Sequence, residues 1–328
     1  LNLYLTKSIR MENSRTIRIE SLWKKYRVKT SVSLFRPVYK EIEAIRGISL
    51  CHNLDHNLGI FGKNGAGKTT LVKLLTGILH SSSGEILVLG HIPYKLKPEF
   101  KKQIGLFQGG KEQLIWDLPA IQSLELSRYI YGFSRDEFKK RITHFSQALD
   151  IGDELDQPLR NMSLGQRCKM ELIYSFIHLP KIVFLDEPTS GLDIITRSKL
   201  RSFINFCHKE YGICFIITSH NVKDITDCCN SCIVLDNGEI IYQGDTTFLL
   251  EKHQHEVITL SAKSNDVARE IAEKFGGTTV EDEEVVFEST GNHSKQLICQ
   301  ILAQYEISDF SIKKKDDEEI ITEILKNE

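Results

Sequence analysis

The sequence predicts an α/β fold built on a parallel sheet, followed by a small α+β unit. Three observations lead there. First, I-V-F-L-D (182–186) and I-C-F-I-I-T-S-H (213–220) are short and almost wholly apolar, the texture of parallel strands covered on both faces. Second, N-L-G-I-F (57–61) runs straight into G-K-N-G-A-G-K-T-T (62–70) and then L-V-K-L-L-T-G-I-L, a strand, a glycine turn and a helix. Third, the texture changes after Leu250. From Glu251 onward there are 18 Asp and Glu against 9 Lys and Arg, although the whole chain of 328 residues carries a net charge of only −2. A basic module followed by an acidic one is therefore expected.

In chain order, T-I-R-I-E alternates as a strand, and L-W-K-K-Y-R-V follows it. Residues 29–40, with Lys29, Phe35, Arg36, Pro37, Tyr39 and Lys40, read as a loop. E-I-E-A-I-R-G-I-S-L is the next strand. The helix after the glycine turn is expected to stop in S-S-S-G (81–84), before the strand E-I-L-V-L-G. Residues 98–170 read mostly as helix, with apolar residues at 3–4 spacing over 118–131 and 136–149. C-I-V-L-D and E-I-I-Y-Q-G-D form a hairpin about Asn237 and Gly238. Beyond Leu250 the order is β-α-β-β-α-β, the ferredoxin-like arrangement. Its first helix is capped near Asn265 or Asp266 and stopped by Gly276. D-E-E (282–284) reads as a solvated hairpin tip, and D-D-E-E-I-I-T-E-I-L-K as a closing helix.

Whole-chain properties exclude several classes. The 41% apolar fraction supports a core, and the charge gives no sign of a nucleic-acid partner. No apolar run approaches the roughly 18 residues of a spanning helix. L-N-L-Y-L-T-K-S-I-R lacks the basic start and apolar stretch of a signal peptide. The first methionine is Met11, so residues 1–10 are expected to be an upstream extension, and 1–14 to be disordered. The eight cysteines are scattered, and the C-x-x-C at 229–232 has no second pair. Buried thiols are expected there rather than a metal or redox site.

The chemistry concentrates at strand ends. G-x-x-x-x-G-K-[ST] from Gly62 to Thr69 sits where backbone N–H groups opening a helix bind phosphate. Lys68 neutralises β- and γ-phosphate charge, and the Thr69 hydroxyl ligates Mg2+. Asp186 and Glu187 end a buried strand, where two adjacent carboxylates are costly unless a cation is near. Asp186 is expected to hold that metal and Glu187 to polarise water. His220 ends a second such strand at the same ligand edge and is expected to contact the γ-phosphate. Ser163, in M-S-L-G-Q, is expected to cap a helix running on through His178. It presents a positive helix end to an anion. Leu164 would stand in the first helical turn at ordinary φ, pointing away from that anion, while Gly165 keeps the close approach.

With these motifs in order, residues 15–250 resemble the ATP-binding cassette (ABC) ATPases. The resemblance implies a cassette with a parallel-sheet core, an antiparallel β-subdomain and a helical subdomain, with 251–328 as an appended small acidic domain. ATP and Mg2+ are the implied cofactors. Tyr26 would stack on adenine, and Gly62, Lys63, Asn64, Gly65, Ala66, Gly67, Lys68, Thr69 and Thr70 would form the Walker A loop. Gln108 or Gln113 would be the glutamine that senses magnesium. Ser163, Gly165 and Gln166 belong to the signature motif and Asp193 to the D-loop. Glu187 and His220 would be catalytic, together with Lys68. The resemblance further implies a head-to-tail dimer with a second cassette, identical or not. It also implies a separate membrane-spanning permease and a place on the cytoplasmic face of the membrane. The aromatic loop before E-A-I-R-G, W-D-L-P (116–119) and S-L-G-Q-R (163–167) point to the bacterial ABC-2-type exporters. A soluble translation-type ABC protein is the other reading, though such chains usually carry two cassettes and one Walker A appears here. About ninety residues between Walker A and signature leave no room for the coiled coils of DNA-repair ATPases.

Overall fold

Three sheets form among the residues described by the computed structural model, namely 15–33, 36–279, 283–315, 319–320 and 324. The expected disorder of residues 1–14 lies outside them. So does the closing helix, apart from Glu319, Ile320 and Ile324. The chain divides into two units between Thr246 and Thr247 rather than after Leu250.

In the first unit, β1 (Thr16–Ser33) and β2 (Arg36–Asn53) make one long antiparallel hairpin, and β1 also pairs with β4 (Ser83–Val88). The expected loop over 29–40 is thus corrected. Lys29 pairs with Tyr39, Val32 with Pro37 and Ser33 with Arg36, so both strands run on through this stretch. The stretch lacks a Gly or Asn turn signal. Its Val and Thr alternation sustains pairing, and Pro is tolerated in a strand beyond the reach of β4.

The second sheet has the order β5-β6-β7-β3-β8-β9. Its parallel members are β5 (Ile104–Gln108), β6 (Ile182–Asp186), β7 (Cys214–Ser219), β3 (Leu58–Phe61) and β8 (Ser231–Asp236), and β9 (Glu239–Asp245) closes the edge antiparallel. β3, β6 and β7 are buried throughout, which explains their unbroken apolar runs. Asn237 and Gly238 both have positive φ in the two-residue turn from β8 to β9, the geometry that matches strand twist.

The helix Lys68–Leu75 contributes Leu71, Val72, Leu74 and Leu75 to a core shared with Ile17, Ile45 and Ile48 of the hairpin sheet and Ile60, Phe184 and Ile216 of the parallel sheet. It ends at Leu75 and not in 81–84. Thr76 caps it, and Gly77 follows at φ 80, where an added Cβ would lie 2.3 Å from the Pro93 carbonyl oxygen. Between β5 and β6 come the helices Ala120–Tyr131, Arg135–Leu149 and Leu164–Phe176. The last stops before His178, at the cap residue Ile177.

The second unit is an antiparallel sheet of order β11-β12-β10-β13, made of β10 (His255–Ala262), β11 (Thr278–Thr279), β12 (Glu284–Thr290) and β13 (Ile307–Lys314). The helices Asn265–Phe275 and Gly291–Leu302 join its strands. The first is capped by Ser264, one residue before the expected cap, because the Ser264 hydroxyl accepts the Val267 N–H. Part of the expected tip, Asp282, lies outside the described residues. The unit has its own core of Ile258, Leu260, Ile271, Val285, Phe287 and Ile301. Removing residues 247–328 is therefore expected to leave 1–246 folded, with a cooperative thermal transition by circular dichroism. A truncated chain that melts without cooperativity would refute the independence of the first core.

Candidate functional site

Register brings the site together. Gln108 pairs with Asp186, Asp186 with Thr218, and Ser219 with Phe61. Four strands thus end on one line, and the residues just beyond them share one edge. That is where ligands sit in a parallel α/β sheet.

The loop after β3 turns through Gly65 (φ 86) and Gly67 (φ 109) into the helix Lys68–Leu75. A Cβ at Gly67 would lie 2.6 Å from the Ala44 carbonyl oxygen, and one at Gly62 would lie 2.3 Å from that of Leu235. Neither position admits a side chain, so the loop is a backbone cradle. Lys68 is buried and donates to the carbonyls of Gly62 (2.6 Å) and Lys63 (3.1 Å). Its ammonium also lies 3.0 Å from Glu187 Oε1.

Thr69 Oγ1 donates to Asp186 Oδ1 at 3.0 Å, and Thr218 Oγ1 donates to the same oxygen at 2.8 Å. A hydroxyl and a carboxylate converging at a helix start are hard oxygen ligands. They fit Mg2+ held with phosphate oxygens, which needs only one or two protein ligands. Gln108 stands beside Asp186 at the end of β5 and is buried. Gln113 is turned away, its amide donating to the Leu106 carbonyl at 2.8 Å.

Glu187 has φ 51, a left-handed backbone that a side chain rarely adopts. Its N–H donates to Thr218 Oγ1 (3.0 Å) and to the Thr218 carbonyl (3.2 Å). Its carboxylate bridges Lys68 through Oε1 and His220 through Oε2, which lies 2.8 Å from Nδ1. Gly109 donates its N–H to the Asp186 carbonyl at 2.9 Å, so the chain after β5 packs directly on this pair.

Ser163 caps the helix Leu164–Phe176 through a reciprocal box. Its hydroxyl accepts the Gln166 N–H (3.3 Å), and Gln166 Oε1 accepts the Ser163 N–H (2.8 Å). Leu164 is the first helical residue and is 51% exposed. Asp193 caps the helix Ile194–Tyr211, taking the Thr196 N–H (2.9 Å) and hydroxyl (2.7 Å), which hold its carboxyl below the usual range. Tyr26 sits opposite Ile42 in the hairpin with the Lys24 ammonium over its ring. The same hairpin passes the glycine loop 62–67 at Ala44.

Two further residues belong here that sequence reasoning did not single out. Thr218 is the hydroxyl shared by Asp186 and Glu187, hidden in a strand that reads as apolar. Glu171 is buried and takes the N–H groups of Gln113 (2.9 Å) and Leu114 (3.0 Å) on Oε1, while burial pushes its carboxyl up. Its neighbours Met170, Leu172 and Ile173 are buried too, so helical periodicity gave no sign of it. Cys228, Cys229 and Cys232 are buried, and burial pushes the Cys232 thiol up to about 12.

The chain is also similar to known proteins. Residues 45–190 match a family model described as ABC transporter. The chain is 33% identical over 222 residues to the ABC transporter ATP-binding protein NatA of Bacillus subtilis, covering 68% of this chain and 90% of that protein. It is 27% identical over 215 residues to the methionine import ATP-binding protein MetN 1 of Staphylococcus aureus, covering 64% of this chain and 62% of that one. Among solved structures, a dimeric ATP-binding cassette, MJ0796, bound to ADP and Pi superposes with a TM-score of 0.60 at 20% identity, over 70% of this chain and 98% of that one. CbiO1 of Clostridium perfringens, part of the ABC transporter complex cbiONQ, gives 0.60 at 24% identity, over 80% and 96%.

Proposed function

Since the chain belongs to the ABC transporter ATP-binding family and is an ATPase of that family, we propose that it powers a separate permease of the exporter type from the cytoplasmic face of the membrane. The Lys68–Glu187–His220 chain beside Thr69 and Asp186 carries the catalytic part of the reading. ATP lies along the loop 62–70, with its adenine toward Tyr26. Mg2+ bound with the nucleotide offsets phosphate charge and orients the γ-phosphoryl group. Thr69 and Asp186 hold that ion, with Gln108 beside them. Lys68 draws on the β- and γ-oxygens. Glu187 orients the attacking water and takes its proton, while His220 contacts the γ-phosphate and links it to the Glu187 carboxylate. Chemistry of this kind is positioning and charge stabilisation.

Ser163, Gly165 and Gln166 act on the nucleotide of a second cassette, facing it head to tail, and Asp193 tunes that partner's site. Within this chain a Cβ on Gly165 would meet Thr196 only at 3.5 Å, an ordinary contact. Gly165→Ala is therefore expected to keep or slightly raise the melting temperature, since alanine favours a helix by up to about 1 kcal/mol over glycine. Turnover should fall about tenfold or more, because the added methyl meets the partner's phosphate. Unchanged turnover would remove Gly165 from the closed interface.

The permease-facing surface is read at Ile115, Trp116, Leu126, Tyr129 and Ile130, all exposed. Trp116 is 37% exposed, with the Arg167 guanidinium 4.9 Å over its ring, so it both packs on the signature helix and offers a face outward. W-D-L-P and S-L-G-Q-R support the exporter direction. The likeness to a methionine import protein supports the opposite direction, and a soluble translation-type role would need no permease. A gene for a six-helix membrane protein beside this one is expected. Co-expressed, it should co-purify in detergent and raise ATP turnover. Turnover indifferent to that protein would favour the soluble reading, and uptake by the reconstituted pair would favour the importer.

A further inference from the structure

We propose that Asp224 is a positioning residue for ATP hydrolysis, tying the loop that follows Glu187 to the strand end that carries His220. The inference rests on the roles given above to those two residues. Asp224 lies in the helix Val222–Cys228 and is 1% exposed. Its Oδ2 accepts the Ser219 hydroxyl at 2.9 Å and also the Thr189 hydroxyl. Its Oδ1 accepts Arg201 from the helix Ile194–Tyr211 at 2.9 Å. Arg201 also reaches Asp227 at 3.0 Å. Ser219 Oγ in turn accepts the Asn221 N–H at 3.0 Å and so turns the chain around His220.

The placement of these partners is what matters. Thr189 stands two residues after Glu187, and Ser219 one residue before His220. One carboxylate thus joins the two loops whose side chains must meet at 2.8 Å. A charge buried this deeply is unfavourable unless each oxygen is satisfied, and here a guanidinium and two hydroxyls do so. Asp224 has no contact with Lys68, Thr69 or Asp186 among its hydrogen bonds, so it stands behind the reacting groups and acts through them. Glu187 also needs outside restraint, because its left-handed backbone is not one that a side chain prefers. Thr218 holds its N–H, and the Asp224–Thr189 bond holds the chain just downstream. Without Asp224, the Glu187–His220 pair loses the support that fixes its spacing.

The test uses the full chain with Thr189→Val, Ser219→Ala and Asp224→Asn, alone and combined with His220→Ala. ATP turnover, KM for ATP and MgATP affinity are measured per folded molecule. Asp224→Asn is expected to lower kcat about tenfold to a hundredfold, as a displacement of about 1 Å can. Thr189→Val and Ser219→Ala should lower it by less. KM and nucleotide affinity should stay within about twofold, because the phosphate loop is untouched. Combined with His220→Ala, Asp224→Asn should add little further loss, since both act on one pair. A full multiplicative loss in the double variant, or kcat unchanged in Asp224→Asn, overturns the proposal. If Asp224→Asn does not fold, Thr189→Val decides: kcat must fall, and must not fall further in its double with His220→Ala. Should His220→Ala itself turn over at the full rate, the assignment of His220 fails instead, and it fails independently of Asp224.

Discussion

Glu187→Gln is expected to stop ATP turnover and to leave the protein as an ATP-bound dimer. Glutamine keeps the length of the side chain and can still accept from His220, now 2.8 Å from Oε2. It loses the charge that lies 3.0 Å from Lys68, and it cannot take the proton of water. Loss of a positioned base costs about 10²–10⁴ in rate. The substitution leaves the loop 62–70, proposed to bind the nucleotide, untouched, so folding and nucleotide affinity should persist. Binding without hydrolysis then holds two cassettes together. The measurement is light scattering on a size-exclusion column, with MgATP and with MgADP. A shift to twice the monomer mass with MgATP alone is expected. A Glu187→Gln protein that hydrolyses ATP at the wild-type rate would take the base role from Glu187.

Lys68→Ala should act one step earlier, on binding. The lysine is buried and held by two carbonyls and one carboxylate, so its ammonium is pre-placed beside the loop proposed to take the phosphate oxygens. Truncating one partner of a buried charged pair costs about 2–5 kcal/mol. A loss near 3 kcal/mol is roughly two orders of magnitude in Kd. MgATP titration by calorimetry is expected to show that loss, while the melting temperature falls modestly because Glu187 is left without its cation. Undiminished affinity would show that the cradle at 62–70 binds something else. The two variants separate cleanly: Lys68→Ala should never give the ATP-bound dimer, and Glu187→Gln should give little else.

The parts of this molecule legible in the sequence are those where a few neighbouring residues fix both backbone and chemistry. The turn from β3 through Gly62–Gly67 to a helix is one, since glycines and the buried strand lie side by side. The helix cap at Ser163 is another, as is the turn at Asn237–Gly238. What was hidden depends on distant partners. Sequence alone does not separate Gln108 from Gln113; strand register sets Gln108 beside Asp186, whereas a side-chain hydrogen bond ties Gln113 to the Leu106 carbonyl, which favours Gln108 in the proposed reading. The stretch 29–40 reads as a loop because Pro37 and the charged Lys29, Arg36 and Lys40 outweigh its short Val and Thr alternation, and only the pairing of 16–33 with 36–53 reveals the strands. Thr218, Glu171 and Asp224 are polar residues whose partners come from other elements. Nothing nearby in sequence marks a hydroxyl or carboxylate for burial.

The order of the parallel strands has a consequence for how the protein is made. β3, which leads into the glycine loop 62–67, lies between β7 and β8, whose residues are 214–219 and 231–236. A ribosome must therefore translate some 170 further residues before that strand has both neighbours. Until then an apolar four-residue strand and its glycine loop wait unpaired, and pairing across such separations is slow. The cassette half should thus be assembled late in synthesis and depend on chaperones during it. A nascent chain stalled near residue 200 should be digested readily by protease, while one released beyond residue 246 should resist.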